Sequence, residues 1–328
     1  VRGLARLASR IALALVGLGV TFAVLEVGLR VHDRLAFGLP MRAPSRFALD
    51  PELGWAADAV LGDVASRRPK ILVLGDSYSS ASLLGGAGPE MYFVVIGRAL
   101  DAEVFAFAGL GYGTLQEAII LHRVFPHLRP DLVILQVCFN DFINNSLELE
   151  RASYLNNNLA VRPYLVNGGV EYHAPTFFGA SLTSRSRLAG QIALGVQRIA
   201  AVLAARGHLE TVETRIGHQG MNYEPFRRSV ATTNLVIAAM KAAVGETPLV
   251  AFTTDDAFPF FETWRAIFHE RGVPFVEVVP ARLREMEARG VALRHPDGAH
   301  WNAAGQAAVG RLLADWLSER GYLREARR

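Results

Sequence analysis

The chain has 328 residues, 51% of them hydrophobic and 20% charged, with 30 Gly and 15 Pro. That balance suits one large folded domain or two small ones and excludes long disorder, a collagen-like chain and a coiled-coil fibre. The net charge is +3, yet residues 1–46 carry seven Arg against Glu26 and Asp33, so the rest of the chain is slightly acidic. The basic character therefore belongs to an N-terminal arm, and no nucleic-acid partner is expected. A single cysteine, Cys138, excludes an internal disulfide framework and a cysteine-based zinc cluster.

Arg2, Arg6 and Arg10 precede Ile11–Leu25, fifteen residues without a charge. Beyond Glu26, Val27–Leu29 lengthen the run to about 28 Å of helix, close to the thickness of a hydrocarbon core. A core helix would show a polar face earlier, and a signal peptide needs a better small-residue cleavage site than Thr21-Phe22-Ala23. Residues 1–34 are therefore expected to form a retained single-pass anchor with its flanks. Arg30 and Arg34 follow the run closely, so the arginine bias leaves the orientation open. Glu26 is placed either to reach the interface or to cap a neighbouring element.

Residues 35–69 read as a linker and irregular lead-in, with turn signals at Gly38-Leu39-Pro40 and Asp50-Pro51. From 70 to 328 a single α/β domain is expected. Apolar strands fall at 70–75, 103–107, 131–137, 248–252 and 274–278, and helical patterns near 114–125, 186–206, 226–244, 259–271 and 302–319. Uniformly apolar strands alternating with helices predict a mainly parallel five-stranded sheet covered on both faces, a three-layer α/β/α sandwich. An insertion at about 142–225 interrupts this rhythm. It contains a predicted hairpin at 162–173 around Asn167-Gly168-Gly169 and a strongly apolar helix at 187–206, expected to pack on the domain, with the membrane surface as the alternative.

In an open parallel sheet reactive groups gather beyond the carboxyl ends of the strands. The first strand ends in Gly75-Asp76-Ser77-Tyr78. A Ser entering a helix there meets amide donors that favour negative charge, although Asp and Ser are also ordinary helix caps. Gly109, Gly111 and Gly113 follow the second strand, either to bring backbone amides to a ligand or simply to turn into a helix. Cys138-Phe139-Asn140-Asp141 ends the third strand with a side-chain amide donor, or with a plain Asn-Asp turn. Asp297-Gly298-Ala299-His300 precedes the last helix, a spacing that lets a carboxylate hold one imidazole nitrogen while the other faces the crevice. The other eight histidines, His295 among them, read as structural or solvated. There is neither a His-Glu-x-x-His motif nor a cysteine pair, so no metal or other cofactor is expected.

Taken together and in this order, the four segments resemble the SGNH/GDSL hydrolase family over roughly residues 70–320. The resemblance implies an SGNH/flavodoxin-like fold and a serine esterase, an ester-bond hydrolase, with Ser77 as nucleophile, His300 as general base and Asp297 orienting it. The oxyanion hole would be the Ser77 amide, the Gly111 amide and the Asn140 side chain. Two positions depart from the family pattern. Cys138 stands where the third block has Gly, and Ala106 where the second block often has Asn, which leaves Gly109 and Gly113 as alternative donors. Cys138 reads as a buried small residue.

Glu26–Arg30, the Asp50–Trp55 stretch and Tyr112–Glu117 are similar to the membrane-anchored bacterial branch of that family. That likeness implies a cytoplasmic-membrane protein with its catalytic domain outside. The expected substrate is a small acyl ester or an acylated glycan, for example O-acetyl groups on a surface glycan. Tyr78, Tyr112, Phe139, Phe142 and Trp301 flank the site, either to stack on a sugar or line an acyl pocket, or simply to pack structurally. An O-acyltransferase acting on polysaccharide shares the same acyl-enzyme. A catalytically idle, membrane-bound glycan-binding or assembly protein is a third reading. Nothing in the sequence fixes the oligomeric state.

Overall fold

The structure is a computed structural model that describes residues 2–37, 41, 50–86, 88–158, 160–174 and 186–323. The turn signal at Gly38-Leu39-Pro40 lies outside the described residues. In chain order the elements begin with α1 (Arg2–Phe37), β1 (Asp58–Val60), β2 (Lys70–Gly75), α2 (Tyr92–Leu100), β3 (Glu103–Ala108), α3 (Thr114–Leu128) and β4 (Leu132–Val137). The middle of the chain supplies α4 (Asn140–Asn144), α5 (Leu147–Ala152), β5 (Arg162–Val166), β6 (Gly169–His173), α6 (Arg187–Ala205) and α7 (Val212–Gln219). Then follow α8 (Glu224–Val244), β7 (Leu249–Thr253), α9 (Phe260–Glu270), β8 (Phe275–Val276), α10 (Val278–Ala288) and α11 (Ala303–Glu319).

The chain divides into two units. The first comprises residues 1–55, 158–162 and 174–209. Its α1 is one unbroken helix whose segment Arg6–Leu35 is long and apolar enough to cross a membrane, with Arg6 to Leu25 exposed along their whole length. A helix of this kind serves as a membrane span or as a signal sequence. In the same unit the Asp50 carboxylate accepts the amides of Glu52 and Leu53, closing the turn that carries the buried Trp55. Gly54 lies at φ +88°, and a Cβ there would collide with the Val161 carbonyl. The Arg162 guanidinium sits 5.3 Å from the Trp55 ring.

The second unit, residues 56–157, 163–173 and 210–328, holds the sheet. Strand order is β1-β3-β2-β4-β7-β8. The five expected strands pair in parallel, and β2 stands between β3 and β4. Val, Ile and Leu fill β2, β4 and β7 and are buried there, as a sheet covered on both faces requires. Ile71, Val73, Val104, Ile134, Val250 and Phe252 point to one face, where they form a core with α2, α10 and α11. Side chains alternate along a strand, so Leu72, Leu74, Val133 and Leu135 turn to the opposite face. There α3 packs on β2 and on α8. The result is the three-layer α/β/α sandwich.

Several elements differ from the sequence reading. A sixth strand, β1, pairs antiparallel with β3 at the sheet edge, Asp58 opposite Ala108. With three residues it is too short to show a period. The run at 274–278 gives only two strand residues, because α10 starts at Val278. The β5–β6 hairpin forms as the sequence predicts, with Asn167 and Gly168 both at positive φ in the turn.

Candidate active site

The strand order decides where a site can form. The chain leaves β2 for β3 on one side and later returns to β4 on the other, so the carboxyl end of β2 is a topological switch point. The loops carrying Ser77, Gly111 and Asn140 follow three adjacent strands and emerge at that edge.

Ser77 does not enter an α-helix, contrary to the sequence expectation. Residues 76–80 form tight turns, the Ser79 amide bonding the Asp76 carbonyl and the Ser80 amide that of Ser77. Only a short 3-10 turn, Ala81–Leu84, follows before α2 begins at Tyr92. Gly85, Gly86, Gly88 and Pro89 break any helix in between. Stabilisation of charge at Ser77 by a helix N-terminus therefore falls away. The turn is held from below instead. Gln136 on β4 accepts the Asp76 amide at 3.1 Å and the Ser79 hydroxyl at 2.7 Å, and Asp76 accepts the Tyr78 amide at 3.0 Å.

His300 and Asp297 come from the other end of the chain. Arg294 and Trp301 pair across the base of their loop, the His295 amide bonds the His300 carbonyl, and Gly298 takes φ +77° at the tip. Asn302 closes the loop, its side chain accepting the Gly305 amide at the start of α11 while donating to the carbonyls of Ala292 and Arg294. The Ala299 carbonyl accepts both the Tyr78 hydroxyl at 3.2 Å and the Arg294 guanidinium at 3.0 Å.

This brings Ser77 Oγ to 2.8 Å from His300 Nε2, and His300 Nδ1 to 2.7 Å from Asp297 Oδ2. An ionised carboxylate only accepts, so Nδ1 carries the proton and Nε2 faces the serine as an acceptor. Burial raises the Asp297 carboxyl, but hydrogen bonds from the His300 ring and from the Ala299 and His300 amides outweigh it and hold the group below its ordinary value. Ser77 is half-buried and the His300 side chain 23% exposed, so the pair is reachable from solvent.

Gly109 and Gly113 have their amides engaged, with the Gly75 carbonyl at 3.4 Å and the Gln116 side chain at 3.2 Å. A Cβ on Gly109 would strike the Tyr112 ring at 2.5 Å. Gly111 alone of the three takes a positive φ, +71°. Asn140 opens α4 and donates one amide hydrogen to Asn144 Oδ1 at 3.0 Å. Its turn is clamped on both sides of Cys138, whose amide donates to Asp141 at 2.7 Å and whose carbonyl accepts the Trp264 indole at 3.2 Å. Cys138 itself is buried, and burial pushes its thiol well up, as befits a packing residue.

Three features escaped the sequence reading. His295 approaches the same Asp297 carboxylate, its Nδ1 3.2 Å from Oδ2, so it is not a solvated bystander. The His295-Pro296-Asp297 spacing was the available signal. Tyr78, Tyr112, Phe142 and Trp301 are buried in the core and offer no ring face to a sugar; only Phe139 remains half-buried, 5.6 Å from Phe260. Glu117 lies fully buried in the first turn of α3, and neither carboxylate oxygen has a hydrogen-bond partner among the described residues. Burial, then the neighbouring Asp141 and Asp76, push its carboxyl well up.

No family model and no curated protein sequence matches the chain. Among solved structures it is similar to a lipase/acylhydrolase from Enterococcus faecalis, at 13% identity over 77% of this chain and 96% of that one, with a TM-score of 0.43. It is also similar to TesA, at 14% identity over 76% of this chain and 98% of that one, with a TM-score of 0.42. A catalytic mutant of an acetylxylan esterase from Geobacillus stearothermophilus gives 14% identity over 77% and 94%, with a TM-score of 0.41. At such identities and TM-scores these likenesses carry no assignment of activity.

Proposed function

We propose that the protein is a serine esterase that hydrolyses small carboxylic esters and is tethered to the cytoplasmic membrane by α1, with the catalytic unit outside. The observation that carries this reading is the unbroken relay from Ser77 Oγ through both nitrogens of His300 to Asp297, whose first step joins residues 223 apart in sequence. A serine hydroxyl becomes nucleophilic at neutral pH only beside a base, and a base works best when a third group fixes its tautomer.

The chemistry follows from that order. Ser77 Oγ bonds to the ester carbonyl carbon as His300 Nε2 takes its proton. The carbonyl oxygen becomes an oxyanion, for which the Ser77 and Gly111 amides and the Asn140 side chain are the donors; removing one such donor costs roughly 3–4 kcal/mol of barrier. The imidazolium, supported by Asp297, returns the proton to the leaving alkoxide as the carbon–oxygen bond breaks. Water then attacks the acyl-serine, His300 again taking and returning the proton, and the acid departs with Ser77 restored.

Purified full-length protein assayed with p-nitrophenyl acetate and longer acyl esters tests this, beside Ser77→Ala. A fluorophosphonate probe should label the parent and not the variant. Turnover that survives Ser77→Ala in a folded protein would overturn the proposal.

A further inference from the structure

Glu26 interrupts the apolar run of α1, and its carboxylate is fully occupied within the first unit. It accepts the Arg187 amide at 3.0 Å, the Leu188 amide at 2.9 Å and the Ser186 hydroxyl at 2.9 Å, while Arg30 donates to it at 2.7 Å. These amides are the open N-terminus of α6, where a carboxylate is favoured by both hydrogen bonding and the helix dipole. Asp33 adds an ion pair with Arg187 at 3.3 Å, both side chains buried. Helix α6 is thus fastened beside the C-terminal end of the apolar run of α1.

From that junction α6 continues for 19 residues, about 28 Å. Leu188, Ile192, Val196, Ile199 and Leu203 recur at helical spacing and form one stripe. Ile192, Val196 and Ile199 are 57%, 61% and 64% exposed. Ala189, Ala193, Ala200 and Ala204 occupy another face, and Arg187, Gln191 and Arg198 line the edge of the stripe. Between 187 and 206 there are three Arg and no acidic residue. A continuous branched-apolar stripe is costly to leave in water, and a basic polar edge beside it suits a lipid interface.

We infer that α6 is a second membrane-contacting helix, seated on the same bilayer as α1 with its Leu188–Leu203 stripe in the acyl chains and the exposed Arg198 and Arg206 among anionic headgroups. The inference rests on reading α1 as a membrane span. Continuity selects the bilayer over a protein partner: the Glu26 junction starts α6 where the span ends, and nothing acidic along α6 repels phosphate.

The test is lipid quenching on the full-length chain in vesicles of phosphatidylcholine and phosphatidylglycerol. Environment-sensitive fluorophores are attached to Ile199→Cys and, separately, to Val16→Cys in α1. Native Cys138 is buried, so the unsubstituted chain serves as the labelling blank. Doxyl-labelled lipids should quench both probes, and the Ile199 probe should shift to the blue on vesicle addition. Quenching at Val16 without quenching at Ile199 overturns the inference while leaving the span intact. Quenching at neither site overturns both readings.

Discussion

The Tyr78 ring lies 4.8 Å from the His300 ring, and its hydroxyl donates to the carbonyl of Ala299, the residue just before that histidine. The tyrosine next to Ser77 therefore braces His300, the proposed base. Ring and hydroxyl make separable contributions. Tyr78→Phe should keep kcat within about threefold and lower stability by about 1 kcal/mol, the net value of one hydrogen bond. Tyr78→Ala removes the brace itself, and kcat should fall more than about tenfold with KM nearly unchanged. Steady-state kinetics at a temperature where both variants stay folded distinguish these outcomes.

Asp297 serves two imidazoles, but only one of them touches Ser77. Asp297→Asn should reduce kcat by about 10³–10⁴-fold, since an amide no longer fixes the His300 tautomer. His295→Ala should stay within about threefold, as a partly exposed partner of a carboxylate contributes little. The pH dependence of stability has a definite sign. A carboxyl held below its ordinary value stabilises the fold above its unfolded value and loses that contribution as pH falls through the folded one. The parent should therefore exceed Asp297→Asn in thermal midpoint at pH 7, and the gap should narrow below about pH 4.

The sheet was legible in the sequence, and the site was legible as a set of candidates. Strands buried on two faces show as unbroken apolar runs, and the groups at their ends sit at fixed places in the topology. Ser77 was a candidate because it follows the end of β2, Asp297 and His300 because of their spacing before α11, and their roles were given by the resemblance of the four segments taken together. What escaped depended on contacts between distant segments. The three residues of β1 become a strand only by pairing with β3. The turn at Ser77 is a turn because glycines and Pro89 follow it and because Gln136 holds it from another strand. The aromatics near the site carry no sequence mark that separates a core ring from an exposed one; Tyr78 and Trp301 pack on each other at 4.8 Å. The role of Glu26 was open between interface and cap until Ser186–Leu188 came to meet it.

Gly75 ends β2 where the turn that carries Ser77 folds back on the sheet. A Cβ there would lie 2.5 Å from Gln136 Oε1 and closer still to Ser79 Oγ, the two groups that support the turn. Gly75→Ala must displace one of them, and overpacking of this kind costs about 1–3 kcal/mol. Because the displaced groups carry the Asp76–Ser77 backbone, kcat should drop more than about tenfold. Gly298→Ala offers the contrast. Its Cβ meets open space, although φ is +77°, so the cost is about 1 kcal/mol of backbone strain.

Glu117 makes the opposite pH prediction to Asp297. Its carboxyl is pushed up by burial and by Asp141 and Asp76, so in the folded protein it stays protonated over a range where the unfolded chain ionises. Such a group costs no stability below its unfolded value of about 4.3 and becomes a growing penalty as pH rises above it. Glu117→Gln removes that penalty with little change of shape. The variant should match the parent in urea midpoint near pH 4 and exceed it at pH 8. A midpoint that falls equally at both pH values would show instead that the carboxyl is held by a bond that the amide cannot replace.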